Sequence, residues 1–283
     1  MKKLICFLLI LMMTVSIVGC EFLDIFTDDD TSVSDDRNND DEDEDQDDER
    51  KEDETEAEDV NVDDIDYKNL VTDAYTTKIV CEDYYKDLDF AIPQINLDSA
   101  DVEDFNEDMY DDLYDIIEDV KVEVNTSDSP QSCSGITYEW YYCNDILSVI
   151  ILIDRAPFAS PYTEYIVYNF SLPDGEMMSE NDVIEAAGYD KDEYYDEMEV
   201  VLGNAYLNVY DSAYDSMSDD EFFVEQFNKT ITQMNIDKCM PYIDDFGDLW
   251  VVAYIYAIAG GEGYSHQVNV SNYEKNPHYS EFA

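Results

Sequence analysis

The feature that most limits what this chain can fold into is an acidic stretch that follows an apolar leader. Residues 21–66 contain 25 Asp and Glu against 3 Lys and Arg, a net charge of −22 over 46 residues. Such a segment has too little apolar surface to offset the conformational entropy lost on ordering it. We therefore predict a disordered acidic linker over 21–66, and a docking tail for cations or basic proteins is the alternative. The 217 residues of 67–283 are long enough to form one domain with its own core.

The leader over residues 1–20 has the layout of a secretory signal. A cationic start at Lys2 and Lys3 precedes a near-continuous apolar run that ends at Val18-Gly19-Cys20. The run is shorter than the roughly 20 apolar residues that span a bilayer. The Ile-Val-Gly-Cys ending resembles the bacterial lipobox, which predicts a lipoprotein signal peptide over 1–20 and lipidation of Cys20. The chain would then lie on the outer face of the bacterial cytoplasmic membrane; a freely secreted protein and an uncleaved anchor are the alternatives.

The acidity extends into the predicted domain. Residues 67–283 carry 46 acidic and 9 basic side chains, a net charge of −37. This charge disfavours nucleic acid and anionic polymers as partners, and it favours a cationic protein or a divalent ion. A purely solubilising role, or adaptation to a saline habitat, is the alternative reading of the same charge.

Four cysteines follow the leader: Cys81, Cys133, Cys143 and Cys239. Outside the cytoplasm an even number permits two disulfides, with three connectivities, and four free thiols are the alternative. The run 136–143 reads as one strand about 23 Å long, whereas disulfide-bonded Cα atoms lie about 5.5 Å apart. This disfavours a bond between Cys133 and Cys143. Because no Cys-x-x-Cys pair occurs, we predict neither a metal site nor a cofactor.

Hydrophobic periodicity indicates an α+β fold, a mainly antiparallel sheet covered by helices. Residues 77–95 read as one strand, with Pro93 suited to an edge or an end. An amphipathic helix follows, capped by Asp98 or Ser99 and apolar on one face through Val120.

Turn and cap signals divide the rest of the domain. Asn144-Asp145 joins two strand-like runs, and a third run ends at the turn 173–175. Three helices are then expected, with caps at Ser179, Asp190 and Ser218. A last hairpin turns near 246–248, and its second arm, apolar on both faces, suits a central strand. We therefore predict the order strand, helix, three strands, helices, two strands.

Catalytic motifs are missing from the sequence. It contains no Gly-x-Ser-x-Gly elbow, no His-Glu-x-x-His and no phosphate-binding Gly-x-x-x-x-Gly-Lys. Its two histidines, His266 and His278, fall in a polar C-terminal stretch, where surface positions are expected. We therefore predict no catalytic residue, although a pair of carboxylates could act as general acid and base.

Two groups of residues are candidates for ligand contact. The aromatic side chains of Tyr138, Trp140 and Tyr142 share one strand face, which could stack a sugar or anchor a protein, or could simply be the buried side of a sheet. The remaining candidates are the glycines of one loop, which could cradle a ligand or form only a mobile loop. They are Gly260, Gly261 and Gly263.

Short phrases in the domain carry a family resemblance. The strand Phe-Ala-Ile-Pro-Gln-Ile before the first helix, the turn Tyr-Asn-Phe-Ser-Leu-Pro-Asp-Gly and the late Phe-Gly-Asp hairpin occur in the order of a known domain. The chain resembles the extracytoplasmic domain of unknown function found in the lysozyme-sensing anti-sigma factor RsiV and in the non-catalytic part of the peptidoglycan deacetylase PdaC. Many members carry a Gly-Gly-Ala-His loop where this chain has Asp-Arg-Ala-Pro-Phe-Ala-Ser-Pro-Tyr, so that loop's properties do not transfer.

The resemblance implies a binding or sensing module. Together with the leader and the charge, it predicts a membrane-anchored extracytoplasmic lipoprotein whose domain binds a cationic protein such as lysozyme, or a cell-wall fragment. The alternatives are a wall-active hydrolase that uses paired carboxylates and a solute-binding lipoprotein of a transporter. Solute-binding lipoproteins usually have two lobes built of repeated β-α units, and the sequence lacks this repetition.

Overall fold

The computed structural model describes residues 67–80, 87–127, 132–155, 161–259 and 262–282. Outside these ranges lie the predicted signal peptide with Cys20, the predicted linker over 21–66, Cys81, Gly260 and Gly261. Within the ranges, none of the helices combines the length and the apolar character needed to cross a bilayer.

The first part of the domain is a five-stranded sheet with one long helix. Its strands lie side by side in chain order, and neighbours are antiparallel except for β2 and β3, which pair in parallel where Phe90 meets Ile136. In chain order the elements are β1 (Val71–Ile79), β2 (Leu88–Ile95), α1 (Ala100–Ser127), β3 (Cys133–Cys143), β4 (Ile146–Arg155) and β5 (Tyr162–Ser171).

The second part is a three-stranded antiparallel sheet with short helices. The strand order is β6-β7-β8, and a 3-10 turn over Tyr279–Glu281 ends the described chain. In chain order the elements are α2 (Glu180–Ala186), α3 (Lys191–Val209), α4 (Asp211–Met217), α5 (Glu221–Thr230), α6 (Gln233–Ile236), β6 (Met240–Ile243), β7 (Leu249–Tyr256) and β8 (Gly263–Asn269). The α+β class with mainly antiparallel pairing is confirmed.

The elements stack in four layers around separate apolar clusters. Helix α1 covers one face of the first sheet, because its buried apolar residues recur every three or four positions and belong to one cluster. A small cluster that includes Ile150, Tyr242 and Val252 joins the other face of that sheet to the second sheet. Helices α3 and α5 cover the outer face of the second sheet.

Several local predictions are confirmed. The side chain of Ser99 accepts from the backbone N–H of Val102 at the start of α1, and Ser179 forms a capping box at α2. Asp190 caps α3. The hairpin residues Asn144 and Asp145 have φ values of 52° and 60°, which is the left-handed backbone that a two-residue turn requires. Strand β7 is the central strand of its sheet.

Other predictions were wrong. Residues 77–95 are not one strand but parts of two: β1 ends at Ile79, and β2, which pairs with it antiparallel, begins at Leu88. The predicted place of Pro93 at a strand end is confirmed, because it lies near the end of β2, opposite a bulge in β1, where its missing N–H interrupts little of the ladder. Helix α5 is capped by Asp220 rather than Ser218.

Three helices were expected between β5 and β6, whereas the structure has five, α2 to α6. Strand β8 was not predicted at all. Strand β8 has few apolar residues, so only its pairing with β7 reveals it. Its existence also moves His266 from the expected polar tail into a half-buried strand position.

Candidate binding groove

An open groove of about 330 Å³ runs between α1 and the edge of the first sheet. It brings together side chains from three elements that are separated along the chain. The lining residues are Ala74 of β1, Gln94 of β2, and Asn106, Glu107, Tyr110 and Asp111 of α1.

Hydrogen bonds hold α1 in position beside the groove. The side-chain amide of Asn106 donates to the backbone oxygen of Ile95 (2.9 Å) and accepts from its N–H (2.8 Å). At the start of the helix, Asp101 accepts from the backbone N–H of Met177 at 2.7 Å, and Ser99 donates to the carbonyl of Gly175 at 2.8 Å. The helix is thus tied both to β2 and to the turn after β5.

A row of tyrosines extends from the groove along α1. Tyr110, which is 37% exposed, stacks on Tyr114 with ring centres 5.5 Å apart. Tyr114 in turn meets Tyr75 of β1 edge to face at 5.4 Å. The ammonium of Lys121 lies over both Tyr75 and Tyr114 and pairs with Glu118 at 2.6 Å. A hydrogen bond with Glu118 raises the pKa of Tyr114 above its usual value.

The charge around the exposed tyrosine is negative. Helix α1 contains 11 Asp and Glu residues and one lysine. Glu107 and Asp111 lie one turn apart on the helix, line the groove together with Tyr110, and are both exposed. An aromatic ring beside carboxylates attracts a cation through both the ring face and the charges. The groove can therefore accommodate a lysine or arginine side chain.

Sequence reasoning did not find this groove. The spacing of Tyr110 and Tyr114, four residues apart on the polar side of a predicted helix, was the available signal. It could not reveal that β1 and β2 lie beside these tyrosines, because the division of 77–95 into two strands was not predicted.

The predicted aromatic strip has partners within the domain. Tyr138, Trp140 and Tyr142 lie on one face of β3, half-buried against the cluster under α1. Tyr138 donates to Asp73 at 2.9 Å, and burial together with this carboxylate raises the pKa of Tyr138 to about 12. Tyr142 stacks on Tyr67 at 4.5 Å. None of the three is among the residues that line the groove.

Gly263 lies at the first position of β8, directly against β7. A Cβ atom at this position would collide with the backbone oxygen of Ile255 and would lie 2.6 Å from the ring of Tyr254. The close approach of two strands therefore accounts for a glycine here.

The described cysteines are free thiols: Cys133, Cys143 and Cys239. Cys133 and Cys143 occupy opposite ends of β3, so this strand keeps them apart as the sequence predicts. Burial raises the pKa of Cys239 to about 12, which makes it a poor nucleophile at neutral pH.

The two histidines have different surroundings. Burial lowers the pKa of His266 below its usual value. His278 stacks on Tyr214 at 3.8 Å and lies 3.0 Å from a carboxylate oxygen of Glu281. His278 thus contributes to holding the C-terminal turn against α4.

Across the part of the chain that the structure describes, no three His, Cys, Asp or Glu side chains are grouped so as to hold a metal ion. No protein-family model matches the chain, and no curated protein sequence matches it. The groove is therefore the feature from which a function is best argued.

Proposed function

We propose that this protein is a membrane-anchored extracytoplasmic lipoprotein whose domain captures a cationic protein without catalysing a reaction. The observation that carries the proposal is the exposed ring of Tyr110 beside the carboxylates of Glu107 and Asp111 in the groove. The resemblance to the domain of RsiV and PdaC supports a basic secreted protein of the lysozyme type as the partner.

The negative charge of the chain would attract such a partner before the two proteins touch. Residues 67–283 carry a net charge of −37, and the predicted linker adds −22. Fields of this size raise the rate at which an oppositely charged protein arrives, but they act on any cation and are screened by salt. Selection between cationic proteins must therefore come from shape and from the groove.

Attachment to the membrane rests on the lipobox-like sequence that ends at Cys20. Two or three acyl chains hold a protein on a membrane, whereas one chain does so only reversibly. We expect the mature N-terminal peptide to begin at Cys20 and to carry a diacylglyceryl group. Mass spectrometry of the membrane fraction tests this, and an unmodified mature N-terminus elsewhere in the chain would exclude the anchor.

Removing the groove carboxylates should weaken binding of a c-type lysozyme to the full chain. The double variant E107Q/D111N is expected to lower the affinity about tenfold at low salt, since exposed ion pairs contribute up to about 1 kcal/mol each. Isothermal titration calorimetry measures this loss, and peptidoglycan turnover is followed in parallel to detect any catalysis.

The matched control is the variant D108N/D112N. These two carboxylates have the same spacing on α1 but lie on the other flank of the helix, where their charges contribute to the raised pKa of Tyr168 in β5. The control removes the same amount of charge, but from positions that do not line the groove. It should therefore change the affinity by less than about twofold. Equal losses in both variants, or equal binding of an unrelated protein of the same basicity, would show that the interaction depends on net charge alone. Hydrolysis of peptidoglycan by the chain would contradict a non-catalytic role.

A further inference from the structure

Strand β1 lies at the edge of the five-stranded sheet, next to the groove. Among the described residues it pairs only with β2, so the peptide groups on its outer side have no strand partner there. Unpaired strand edges of this kind are templates for an added strand. Ala74 of β1 also lines the groove, so the open edge and the acidic tyrosine site are continuous.

We propose that the cationic partner binds by adding an extended basic segment to the edge of β1, with alternate side chains of that segment entering the groove. This inference rests on the proposed function, because it specifies how the same groove takes its partner. Backbone hydrogen bonds would supply affinity along β1, and the groove would choose the side chains.

The two faces of the sheet differ in charge at this edge, which predicts a pattern in the added segment. On the α1 side, alternate residues of the segment would pass Glu107, Tyr110 and Asp111. On the opposite side Lys78 pairs with Asp87 at 3.1 Å and with Asp89 at 3.5 Å, so its charge cancels part of theirs and a cation is favoured less there. Lysine or arginine is therefore favoured at every second position, with uncharged residues between them.

A second copy of this chain is a poor occupant of the edge. The domain carries 46 acidic against 9 basic side chains, so two copies repel each other. A basic extended segment is attracted by the same charge.

The test uses the full chain and a synthetic heptapeptide, Thr-Lys-Thr-Lys-Thr-Lys-Thr, at near-physiological salt. Two analogues carry N-methyl groups on either all lysine or all threonine amides, and a third has the same composition with its lysines adjacent. In an added strand, alternate residues direct their N–H groups to opposite edges. We therefore expect one methylated peptide to lose at least about tenfold in affinity and the other to bind like the parent. The peptide with adjacent lysines should also bind more weakly.

The protein variants connect this test to the groove. E107Q/D111N should abolish the preference for alternating lysines, and D108N/D112N should preserve it. Equal binding of all four peptides would overturn strand addition, even where E107Q/D111N still weakens lysozyme binding and so supports the proposed function. If the chain binds one methylated peptide selectively but does not bind lysozyme, strand addition is supported and lysozyme is excluded as the partner.

Discussion

Replacing Asn169 with leucine is expected to lower the free energy of unfolding by about 3 kcal/mol, since each buried polar group left without a partner costs about 1–3 kcal/mol. Asn169 lies in β5, between the two sheets, and is almost fully buried. It accepts from the hydroxyl of Ser148 at 2.7 Å and donates to the carbonyl of Pro241 at 2.9 Å. Ser148 in turn accepts from the N–H of Ile243 at 3.1 Å.

This short network is a buried polar connection between the sheets, because it joins β4 and β5 of the first sheet to β6 of the second. Leucine matches asparagine in branching and in the number of side-chain heavy atoms, so the substitution removes hydrogen bonds without opening a cavity. The carbonyl of Pro241 and the hydroxyl of Ser148 would then be buried without their present partner. We expect the loss to appear as looser packing between the sheets.

Urea unfolding of the full chain measures the effect, with tryptophan fluorescence as the probe. Trp250 packs between the sheets and Trp140 packs against the cluster under α1, so coincident transitions would show that both parts unfold together. The double variant S148A/N169L should cost less than the sum of the two single variants, because the residues share one network. A change below about 0.5 kcal/mol in N169L, typical of a surface site, would show that the network does not stabilise the domain.

Replacing Gly263 with alanine is expected to cost about 3 kcal/mol, in the range of overpacking and backbone strain combined. The added methyl group would collide with the backbone oxygen of Ile255, and a backbone atom in a paired strand cannot move aside as a flexible side chain can. Either β8 separates from β7 at this end or both strands shift. Thermal unfolding and hydrogen exchange of the β7 and β8 amides report which of these occurs.

The control is Gly188→Ala. Gly188 follows α2 with a φ of 93°, and a Cβ atom there would have no other atom within 4 Å. This variant therefore measures the cost of an unfavourable backbone angle alone, about 1 kcal/mol. If G263A is no more destabilising than G188A, the contact between β7 and β8 leaves room for a methyl group. A loss of partner binding in G263A at unchanged stability would instead assign this glycine a role in ligand contact.

The outcome at Gly263 also bears on how the domain presents its binding groove. The groove belongs to the first sheet and α1, whereas Gly263 lies in the second sheet. We therefore expect partner binding through Glu107 and Asp111 to persist in G263A at temperatures where the variant remains folded. Stability and binding can in this way be altered separately in this chain.

Features that depend on a few neighbouring residues were predictable from the sequence. The caps at Ser99, Ser179 and Asp190, and the hairpin at Asn144-Asp145, each form within about four residues of chain, so local chemistry is sufficient. The same holds for the amphipathic character of α1 and the central position of β7, because hydrophobic periodicity reports how many faces of an element are covered.

The sequence by itself determined the α+β class, several helix caps and hairpin turns, and the excess of negative charge. Only the tertiary structure decided that β1 pairs with β2, that β8 pairs with β7, and which sheet edge α1 meets. Strand β8 is held by its pairing with β7, and the groove exists because α1 crosses beside β1 and β2. Both depend on contacts between residues far apart in the chain, whose free energy comes from burial and hydrogen bonding across elements and leaves little trace in local residue patterns.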